Sequence, residues 1–324
     1  MKVLVTGGAG FIGSNFIRMI ADGHLDGYSE ITVLDKLTYA GVLSNLDSAK
    51  KMNSYRFVQG DICDFDMVKS LLANVDYVIN FAAESHVDRS ILNSSQFINA
   101  NVVGVQVLLD AIKSEKRNIR LLQVSTDEVY GSILSGSWNE ESAVHPNSPY
   151  SASKAGGELL AMSYFRTFGI NIVVTRSSNN YGTHHFPEKL IPLFITNIIQ
   201  GKKLPLYGDG ENVRDWLHVD DHCRGLHLAL TKGKSGNIYN IGGGRELSNL
   251  EITKRLLSIM GKSSECVEFI EDRKGHDFRY SVDWSKIERD LGYAPLIEFE
   301  EGLKATVDWY QKNEAWWKPL KSNA

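Results

Sequence analysis

Apolar runs of about the length of one buried strand alternate with helical apolar spacing through the first half of the chain. The runs lie at residues 3–5, 31–34, 55–58, 77–81, 121–125 and 172–175. Helical spacing lies between them, at residues 14–21, 66–73, 101–114 and 151–168. Strands and helices that alternate in this way form a parallel sheet with helices on both faces. The pattern therefore predicts an α/β fold with a doubly wound parallel sheet.

This alternation weakens after about residue 176, where prolines and glycines interrupt it. Helical spacing returns at residues 190–200, 220–230, 249–260 and 299–313. We expect residues 1–175 to form one domain, with residues from about 216 to 241 returning to its sheet. Residues 176–215 and 242–320 are expected to form a smaller, mostly helical C-terminal lobe that binds the substrate.

A glycine-rich turn follows the first apolar run. Gly7, Gly10 and Gly13 lie where the first strand passes into the first helix. One such glycine permits the tight bend, another lets a pyrophosphate approach the backbone, and the third lets the helix lie close to the strand. The helix N-terminus then offers N–H groups to the phosphates. A dinucleotide site in a Rossmann-type domain is favoured over a plain glycine turn.

Asp35 ends the second apolar run, about twenty residues beyond these glycines. Its carboxylate can bind the adenosine ribose hydroxyls and would repel a 2′-phosphate, so NAD is favoured over NADP. Lys36 beside it is a complication, because a cation softens that repulsion. We predict NAD as the cofactor.

Composition and charge weigh against several other classes of protein. The 324 residues carry 35 Lys and Arg against 39 Asp and Glu, with no basic block, so we expect no nucleic-acid partner. No apolar run approaches the ~20 residues of a membrane helix, and the chain opens directly into a strand, so we expect no membrane span and no signal peptide. Cys63, Cys223 and Cys266 are far apart, which favours reduced thiols and a cytoplasmic protein. Residues 322–324 look like a frayed end or a cloning remnant.

Two pairs of side chains suit catalysis, one directly after the fifth apolar run and one at the start of the helical segment that follows it. Tyr150 and Lys154 have the spacing of one helix face, on which the ammonium would lower the pKa of the phenol. Such a tyrosine can take a proton from an alcohol as hydride leaves the same carbon for NAD. Asp127 and Glu128 lie at the tip of a buried strand. They either cap a helix or a turn, or act as an acid and a base with separated pKa values.

Further blocks of sequence follow one another in a specific order. They are Lys36-Leu37-Thr38-Tyr39-Ala40-Gly41, Ala82-Ala83-Glu84-Ser85-His86-Val87-Asp88-Arg89-Ser90, Thr126-Asp127-Glu128, Asn179-Asn180-Tyr181-Gly182, Pro187-Glu188-Lys189-Leu190-Ile191-Pro192, Leu204-Pro205-Leu206-Tyr207-Gly208, Arg214-Asp215-Trp216 and Asp272-Arg273-Lys274-Gly275-His276-Asp277. Together with the glycine turn, they resemble the extended short-chain dehydrogenase/reductase superfamily and, within it, the dTDP-glucose 4,6-dehydratase family. The resemblance runs from residue 1 to about residue 320.

The resemblance implies conversion of dTDP-glucose to dTDP-4-keto-6-deoxyglucose and water, for the biosynthesis of rhamnose or an antibiotic deoxysugar. It implies that Tyr150, helped by Lys154 and Thr126, removes the C4 hydroxyl proton while hydride passes from C4 to NAD. Glu128 would then remove the C5 proton, and Asp127 would protonate the leaving C6 hydroxyl. Return of hydride to C6 regenerates NAD.

The resemblance also implies which residues hold the two ligands. For NAD they are Gly7, Gly10, Phe11, Ile12, Gly13, Asp35, Lys36, Thr38, Gly41, Asp61, Ile62, Ala82, Ala83, Ser85, Ala100, Tyr150, Lys154 and Asn180. For the sugar nucleotide they are Ser85, His86, Thr126, Asn179, Glu188, Lys189, Leu190, Pro205, Tyr207, Arg214, Asn249, Arg273 and His276. An Arg suits a diphosphate and a Tyr suits a stacked thymine.

The sequence departs from the family pattern at a few places. Gly182-Thr183-His184 stands where Gly-Pro-Tyr is usual, at a loop that borders the expected cleft, and the next residue, His185, is expected with His184 on the loop surface. Ala100 stands where Thr is common, which removes one hydroxyl near the cofactor.

Other functions are compatible with parts of the sequence. A nucleotide-sugar epimerase of the same superfamily needs no acid and base at Asp127 and Glu128. A non-catalytic NAD-binding sensor usually lacks the tyrosine or the lysine. His218 and His222 have a spacing that occurs in metal sites, but His218 falls before the helix, so we expect no metal.

Two helical segments, residues 101–114 and 151–168, each carry two apolar stripes. One stripe must cover the sheet, and the other could pair with a second copy of the chain in a four-helix contact. We therefore predict a homodimer, with a partly exposed apolar helix on a monomer as the alternative.

Overall fold

The computed structural model describes residues 1–322, so residues 323 and 324 of the expected frayed end lie outside the described residues. Its strands are β1 (Lys2–Thr6), β2 (Glu30–Asp35), β3 (Tyr55–Gln59), β4 (Tyr77–Asn80), β5 (Arg120–Thr126), β6 (Ile172–Ser177), β7 (Asn179–Tyr181), β8 (Leu204–Tyr207), β9 (Val213–His218), β10 (Ile238–Ile241), β11 (Glu246–Ser248) and β12 (Val267–Ile270).

Helices cover both faces of the sheet and form most of the second lobe. They are α1 (Phe11–Ala21), α2 (Phe65–Leu72), α3 (Val87–Leu92), α4 (Ser95–Ile98), α5 (Gly104–Ser114), α6 (Pro149–Phe168), α7 (Leu190–Ile199), α8 (Val219–Lys232), α9 (Asn249–Ile259), α10 (Ser285–Leu291), α11 (Phe299–Lys312) and α12 (Glu314–Ser322). Short 3₁₀ turns lie at Leu43–Leu46, Ala49–Lys51, Asp127–Tyr130 and Ser264–Cys266, and a π-helical turn at Asn99–Val103 joins α4 to α5.

Seven parallel strands form the central sheet in the order β10-β6-β5-β4-β1-β2-β3. Chain progression reverses between β1 and β4, and ligands bind such sheets at the carboxyl ends of the strands on either side of this reversal. The Gly7 amide donates to Leu34 at 2.8 Å and the Phe81 amide to Thr6 at 3.0 Å, so the loops after β1 and β4 begin at the same edge. The predicted doubly wound parallel sheet is confirmed.

Two apolar layers hold this sheet between its helices. Phe16, Ile17 and Leu226 fill the layer under α1 and α8, and Leu108 and Met162 belong to the layer under α5 and α6. Burial of such a side chain stabilises the fold by about 1.5–3 kcal/mol. The carboxyl ends of the strands are therefore fixed from both sides.

The second lobe packs around its own apolar core, which includes Phe194, Leu256 and Trp317. Helices α7, α9, α11 and α12 dominate it, as predicted, but two small sheets accompany them: β7 with β9 and β11, and β8 with β12. The apolar pattern does not predict these strands as separate small sheets, and they are three to six residues long. The expected boundary between domain and lobe stays a prediction. No helix in the described part of the chain has the length and apolar character needed to cross a bilayer.

Candidate active site

A cavity of about 770 Å³ opens at the carboxyl ends of the central strands. Its wall includes every residue that the sequence predicts for NAD, together with Thr126, Asp127 and Glu128. The residues predicted for the sugar nucleotide divide into two sets. Ser85, Thr126, Asn179, Glu188 and Lys189 line the cavity. The others lie beyond the wall, namely His86, Leu190, Pro205, Tyr207, Arg214, Asn249, Arg273 and His276.

The glycine turn after β1 has the geometry that a dinucleotide requires. Gly7 has a φ of 67°, and a Cβ there would lie 2.5 Å from the Ala82 nitrogen. A Cβ at Gly13 would lie 2.5 Å from the Gly7 carbonyl oxygen, so that glycine lets α1 pack against the turn. A Cβ at Gly10 would meet only the same oxygen, at 3.3 Å. Because α1 begins with no acidic residue in its first turn and no side-chain cap, its N-terminus suits an anionic group.

Asp35 and Asp61 set the charge at the expected adenosine end. Asp35 accepts hydrogen bonds from the Ala9 amide at 2.8 Å and the Leu37 amide at 2.7 Å. The Lys36 ammonium lies 2.7 Å from Asp61, so its charge is paired within the protein. That pairing removes the complication that Lys36 posed for the choice of NAD. These residues fit a dinucleotide without a 2′-phosphate.

Tyr150 is placed on the cavity wall by the start of α6. Ser148 caps this helix by accepting from the Ser151 amide at 3.0 Å, and Pro149 is its first residue. The Tyr150 amide donates to the Ser90 hydroxyl at 3.2 Å. The Ser-Pro-Tyr sequence therefore fixes the phenol, because a capped helix with proline in its first turn begins at one position only.

Lys154 lies one turn further along α6, where its ammonium donates to the Val124 carbonyl at 2.7 Å. Burial raises the pKa of Tyr150, and Glu128 and Asp127 raise it further, whereas a hydrogen bond with Thr126 lowers it. Burial and the two carboxyl groups thus oppose the pKa lowering that the helix spacing predicts, and that lowering stays a prediction. Burial also lowers the pKa of Lys154 to about 8.

Asp127 is 2% exposed at the tip of β5. The Thr126 hydroxyl donates to its Oδ1 at 3.2 Å, and its Oδ2 is buried without a hydrogen-bond partner among the described residues. Burial raises its pKa well above the usual value, and Glu128 and Asp215 add to the rise. Burial therefore favours the protonated, uncharged form of Asp127. Thr126, not either acid, caps the following turn by accepting from the Glu128 amide at 3.3 Å.

Glu128 has more positive surroundings than its neighbour. Burial raises its pKa, but Arg273, Arg214 and Lys189 all lower it. The shift of Asp127 is instead reinforced by carboxyl groups. When two adjacent carboxyl groups have different environments, one can act as an acid and the other as a base.

Four residues predicted for the sugar nucleotide lie outside the set that lines the cavity, close to the end of the cavity at which Glu128 lies. The Tyr207 hydroxyl donates to Asp88 at 3.3 Å, and the Arg273 guanidinium lies 3.6 Å from the other oxygen of that carboxylate. The His276 ring centroid is 6.2 Å from that of Tyr207. Arg214 is buried and donates to the Asp277 carbonyl at 2.9 Å. Asp88 thus holds Tyr207 and Arg273 on one wall.

The remaining predicted residues have clear structural positions. His86 caps α3, Asn249 begins α9, Leu190 packs against the core of the second lobe, and Pro205 lies in β8 opposite Glu268. Their ligand roles stay predictions. No group of three or more His, Cys, Asp or Glu residues in the described part of the chain could hold a metal ion.

Comparison with known proteins agrees with this geometry. The family model described as GDP-mannose 4,6 dehydratase matches residues 4–306. The dTDP-glucose 4,6-dehydratase of Streptomyces niveus is 53% identical over 99% of this chain and 96% of its own length. That of Salmonella typhimurium is 43% identical over 100% of this chain and 96% of its own. This chain belongs to the dTDP-glucose 4,6-dehydratase family.

Solved structures of dTDP-glucose 4,6-dehydratases have the same fold. The DesIV enzyme of Streptomyces venezuelae, solved with NAD and dTDP bound, has a TM-score of 0.97 at 53% identity, covering 99% of this chain and 100% of its own. The UDP-glucuronic acid 4-epimerase of Bacillus cereus, solved with UDP-glucuronic acid and NAD, has a TM-score of 0.90 at 31% identity, covering 96% and 99%. The fold is therefore shared with epimerases, and the side chains at the strand ends must distinguish the two activities.

In this member of the dTDP-glucose 4,6-dehydratase family, the unusual loop after β7 is not on the surface. His184 has a φ of 62°, and its ring lies 4.2 Å from that of Trp309. The His185 ring stacks on Phe11 at 4.0 Å and lines the cavity. The expectation that both histidines are surface residues is wrong, because aromatic rings from α11 and the glycine turn cover them.

Sequence reasoning also missed several residues of this dehydratase-family cavity. Tyr39 and Arg89 line it, and both lie in sequence blocks already singled out, but nothing local indicates what they contact. Asp215 accepts from the Ser178 hydroxyl at 2.6 Å and from the Gly243 amide at 3.0 Å, and it supports the wall from behind. The available signal was an acidic residue inside the block Arg214-Asp215-Trp216.

Proposed function

We propose that this chain is a dTDP-glucose 4,6-dehydratase that converts dTDP-glucose to dTDP-4-keto-6-deoxyglucose and water with NAD as its cofactor. The observation that carries this proposal is the pair of adjacent carboxyl groups at the tip of β5, of which Asp127 is buried and Glu128 is partly buried. Burial favours the protonated form of Asp127, whereas Arg273, Arg214 and Lys189 favour the ionised form of Glu128. An elimination needs both an acid and a base on the reacting sugar.

The first step assigned to the protein is removal of the C4 hydroxyl proton. NAD, when bound, would accept hydride from C4 and give it back to C6. Tyr150 would take the hydroxyl proton in its phenolate form, and Thr126 supports that form because their hydrogen bond lowers the phenol pKa against the effect of burial. Lys154 fixes this end of α6 to Val124 on β5. Its positive charge also favours the phenolate once the proton has left.

The second step is loss of water across C5 and C6. The keto group at C4 acidifies the C5 proton, which Glu128 would take. Asp127 would give its own proton to the C6 hydroxyl, so that water leaves as the C5–C6 double bond forms. After hydride returns to C6, a proton delivered to C5 completes the product, and the atoms of dTDP-glucose equal those of product and water.

For the sugar nucleotide we propose the wall formed by Tyr207, Arg214, Arg273 and His276. A guanidinium can donate two parallel hydrogen bonds to a diphosphate, and an aromatic ring can stack on thymine. These residues lie at the Glu128 end, which is where the reacting hexose must be joined to its nucleotide. Lys189 donates to the Ser85 carbonyl at 2.8 Å and closes the wall between the two ligands.

Incubation with dTDP-glucose, followed by mass spectrometry and by a scan for the keto-sugar absorbance in alkali, tests the proposal. We expect loss of one water and the keto-sugar chromophore. A hexose of unchanged mass and altered configuration would favour the epimerase. Recovery of dTDP-glucose with NAD supplied would contradict the substrate, and UDP- and GDP-sugars would then be tested.

We infer that the protein is a homodimer joined through α5, α6 and the segments beside them. Ile98, Val103, Leu159 and Phe168 are between 38% and 55% exposed on this side, which leaves apolar area for a partner. Leu159→Glu should convert the dimer to a monomer in light scattering. Leu296→Glu, on a more exposed residue elsewhere, should not. A monomeric wild-type protein would contradict the inference.

We also propose a cytoplasmic location. Cys223 is buried and unpaired, and Cys63 and Cys266 are unpaired as well. Unpaired thiols are usual in a reducing compartment. Fractionation of the source cells with an antibody to the chain tests this location, and recovery in a periplasmic or secreted fraction would contradict it.

A further inference from the structure

The loop after β2, residues 36–42, covers the expected adenosine end of the cavity. Its ends are tied to the domain that carries it. The Leu37 amide donates to Asp35 at 2.7 Å, and the Val42 amide donates to the Ala9 carbonyl at 3.0 Å. Leu37 has a φ of 56°, which is rare for a residue with a side chain. Backbone of this kind persists where surrounding contacts hold it, often at a ligand clamp.

The tip of this loop is held by the second lobe. The Tyr39 hydroxyl donates to Glu188 Oε1 at 2.7 Å, although 149 residues separate them. The Arg89 guanidinium lies 3.8 Å from the centre of the Tyr39 ring, and its Nη2 is 3.3 Å from Glu188 Oε2. Phe186 meets the same ring edge-on at 5.4 Å. The Tyr39 ring is therefore in contact with two other segments of the cavity wall, one at Arg89 and one at Phe186.

We propose that Tyr39, Arg89 and Glu188, together the Tyr39 clasp, hold this loop closed over the dinucleotide and so retain NAD throughout turnover. The inference goes beyond the proposed reaction and rests on it, because the same cofactor must both take and return the hydride. Loss of the reduced cofactor between these steps would leave a keto sugar that cannot be completed. A closed loop prevents that loss.

The contacts of the clasp make its opening costly. A phenol donating to a carboxylate makes a charge-assisted hydrogen bond, and a guanidinium over a ring adds a cation–π contact. Removal of the Tyr39 hydroxyl breaks the hydrogen bond to Glu188 and leaves the ion pair between Glu188 and Arg89 in place. A hydrogen bond to a charged group accounts for a factor of about ten or more in an equilibrium, so we expect NAD to leave about tenfold faster.

The test compares Tyr39→Phe with Tyr28→Phe as a matched control. The Tyr28 hydroxyl lies 2.8 Å from His227 Nδ1 and is outside the cavity wall. Each purified protein is loaded with NAD, passed through a desalting column and assayed for retained nucleotide over time, with no sugar present. We expect Tyr39→Phe to lose NAD about tenfold faster than the wild type and Tyr28→Phe to match the wild type.

A second readout follows turnover with dTDP-glucose. Tyr39→Phe should release reduced cofactor into solution, its progress curve should stop early, and added NAD should extend it. Equal NAD retention in all three proteins would overturn the clasp, as would equal loss from Tyr28→Phe and Tyr39→Phe. If Tyr39→Phe does not fold, Arg89→Gln removes the cation–π contact and serves in its place. Retention is measured without sugar, so failure of the dehydration assay alone contradicts the proposed function and not the clasp.

Discussion

Replacing Asp127 by Asn tests whether this carboxyl group is the acid of the elimination. Asp127 is 2% exposed, and burial, Glu128 and Asp215 together raise its pKa. A protonated Asp and an Asn are both uncharged and have similar shapes. If burial keeps Asp127 protonated, Asp127→Asn removes a transferable proton without removing a charge.

The size of the effect of Asp127→Asn can be worked out as a change in the free energy of unfolding. At a pH between the pKa of Asp127 in the unfolded chain and its raised pKa in the folded protein, the carboxyl group binds a proton only in the folded state. The stability that this proton contributes is complete below the unfolded pKa, and it decreases as pH rises towards the folded pKa. Wild-type stability should fall by about 1.4 kcal/mol per pH unit in that window from this group. The window begins near 3.8 and ends at the raised value. Asp127→Asn lacks this pH dependence, so the free energy of unfolding of the variant should rise relative to that of the wild type by the same amount per pH unit.

Urea denaturation at pH 5, 6 and 7 measures the gap, which is the difference in the free energy of unfolding between the variant and the wild type. Glu246→Gln is the control, because hydrogen bonds from Arg279 and Ser281 lower the pKa of Glu246 although burial raises it. Its ionised form stabilises the fold above pH 4.5, and that contribution is lost only as pH falls through the lowered pKa, so its gap should stay constant over this range. A constant gap for Asp127→Asn would refute a proton on Asp127.

Activity provides the second readout for Asp127→Asn. Loss of a general acid should slow dehydration by about 10²–10⁴-fold. Oxidation at C4, for which Tyr150 only accepts the hydroxyl proton, should still occur with NAD bound, so the near-ultraviolet absorbance of reduced cofactor should build up on the enzyme. Dehydration at the wild-type rate would show that another group protonates the leaving hydroxyl.

Three other substitutions have defined outcomes. Tyr150→Phe should abolish formation of reduced cofactor and lower kcat by about 10²–10⁴-fold, as followed by absorbance, while binding of dTDP measured by calorimetry stays within about threefold. Gly7→Ala should cost about 2 kcal/mol or more in urea denaturation and weaken NAD binding, because its Cβ would meet the Ala82 nitrogen at 2.5 Å; unchanged stability would contradict the contact. Glu158→Gln should cost about 3 kcal/mol, because Arg176 would be left buried without its counter-charge. Replacing Glu158 and Arg176 together by Leu should recover most of that loss, and a double variant as unstable as the single one would exclude this cause.

Much of the cofactor end follows from local chemistry. The glycine turn needs only a strand, three glycines and a helix, and the start of α6 needs only Ser148 and Pro149. Both are local arrangements whose side chains act within a few residues. They are predictable because no distant segment decides them.

The parts that could not be predicted depend on distant segments. Tyr39 contacts Glu188, which is 149 residues away in the sequence, and no local sequence pattern predicts that contact. The pKa of Tyr150 rises because burial and two carboxyl groups from β5 dominate, whereas the sequence shows only Lys154 on the same helix face. His184 and His185 look like loop residues until Trp309 and Phe11 cover them.

The position of β10 has a consequence for how the chain is made. It is the edge strand beside β6, yet residues 178–237, which include α7 of the second lobe and α8 of the sheet domain, precede it. During synthesis, the first six strands leave the ribosome with the β6 edge uncovered, and that edge is closed only after most of the polypeptide has been translated. An exposed edge invites pairing with other nascent chains. Production of this protein should therefore be sensitive to pauses in translation between residues 178 and 237.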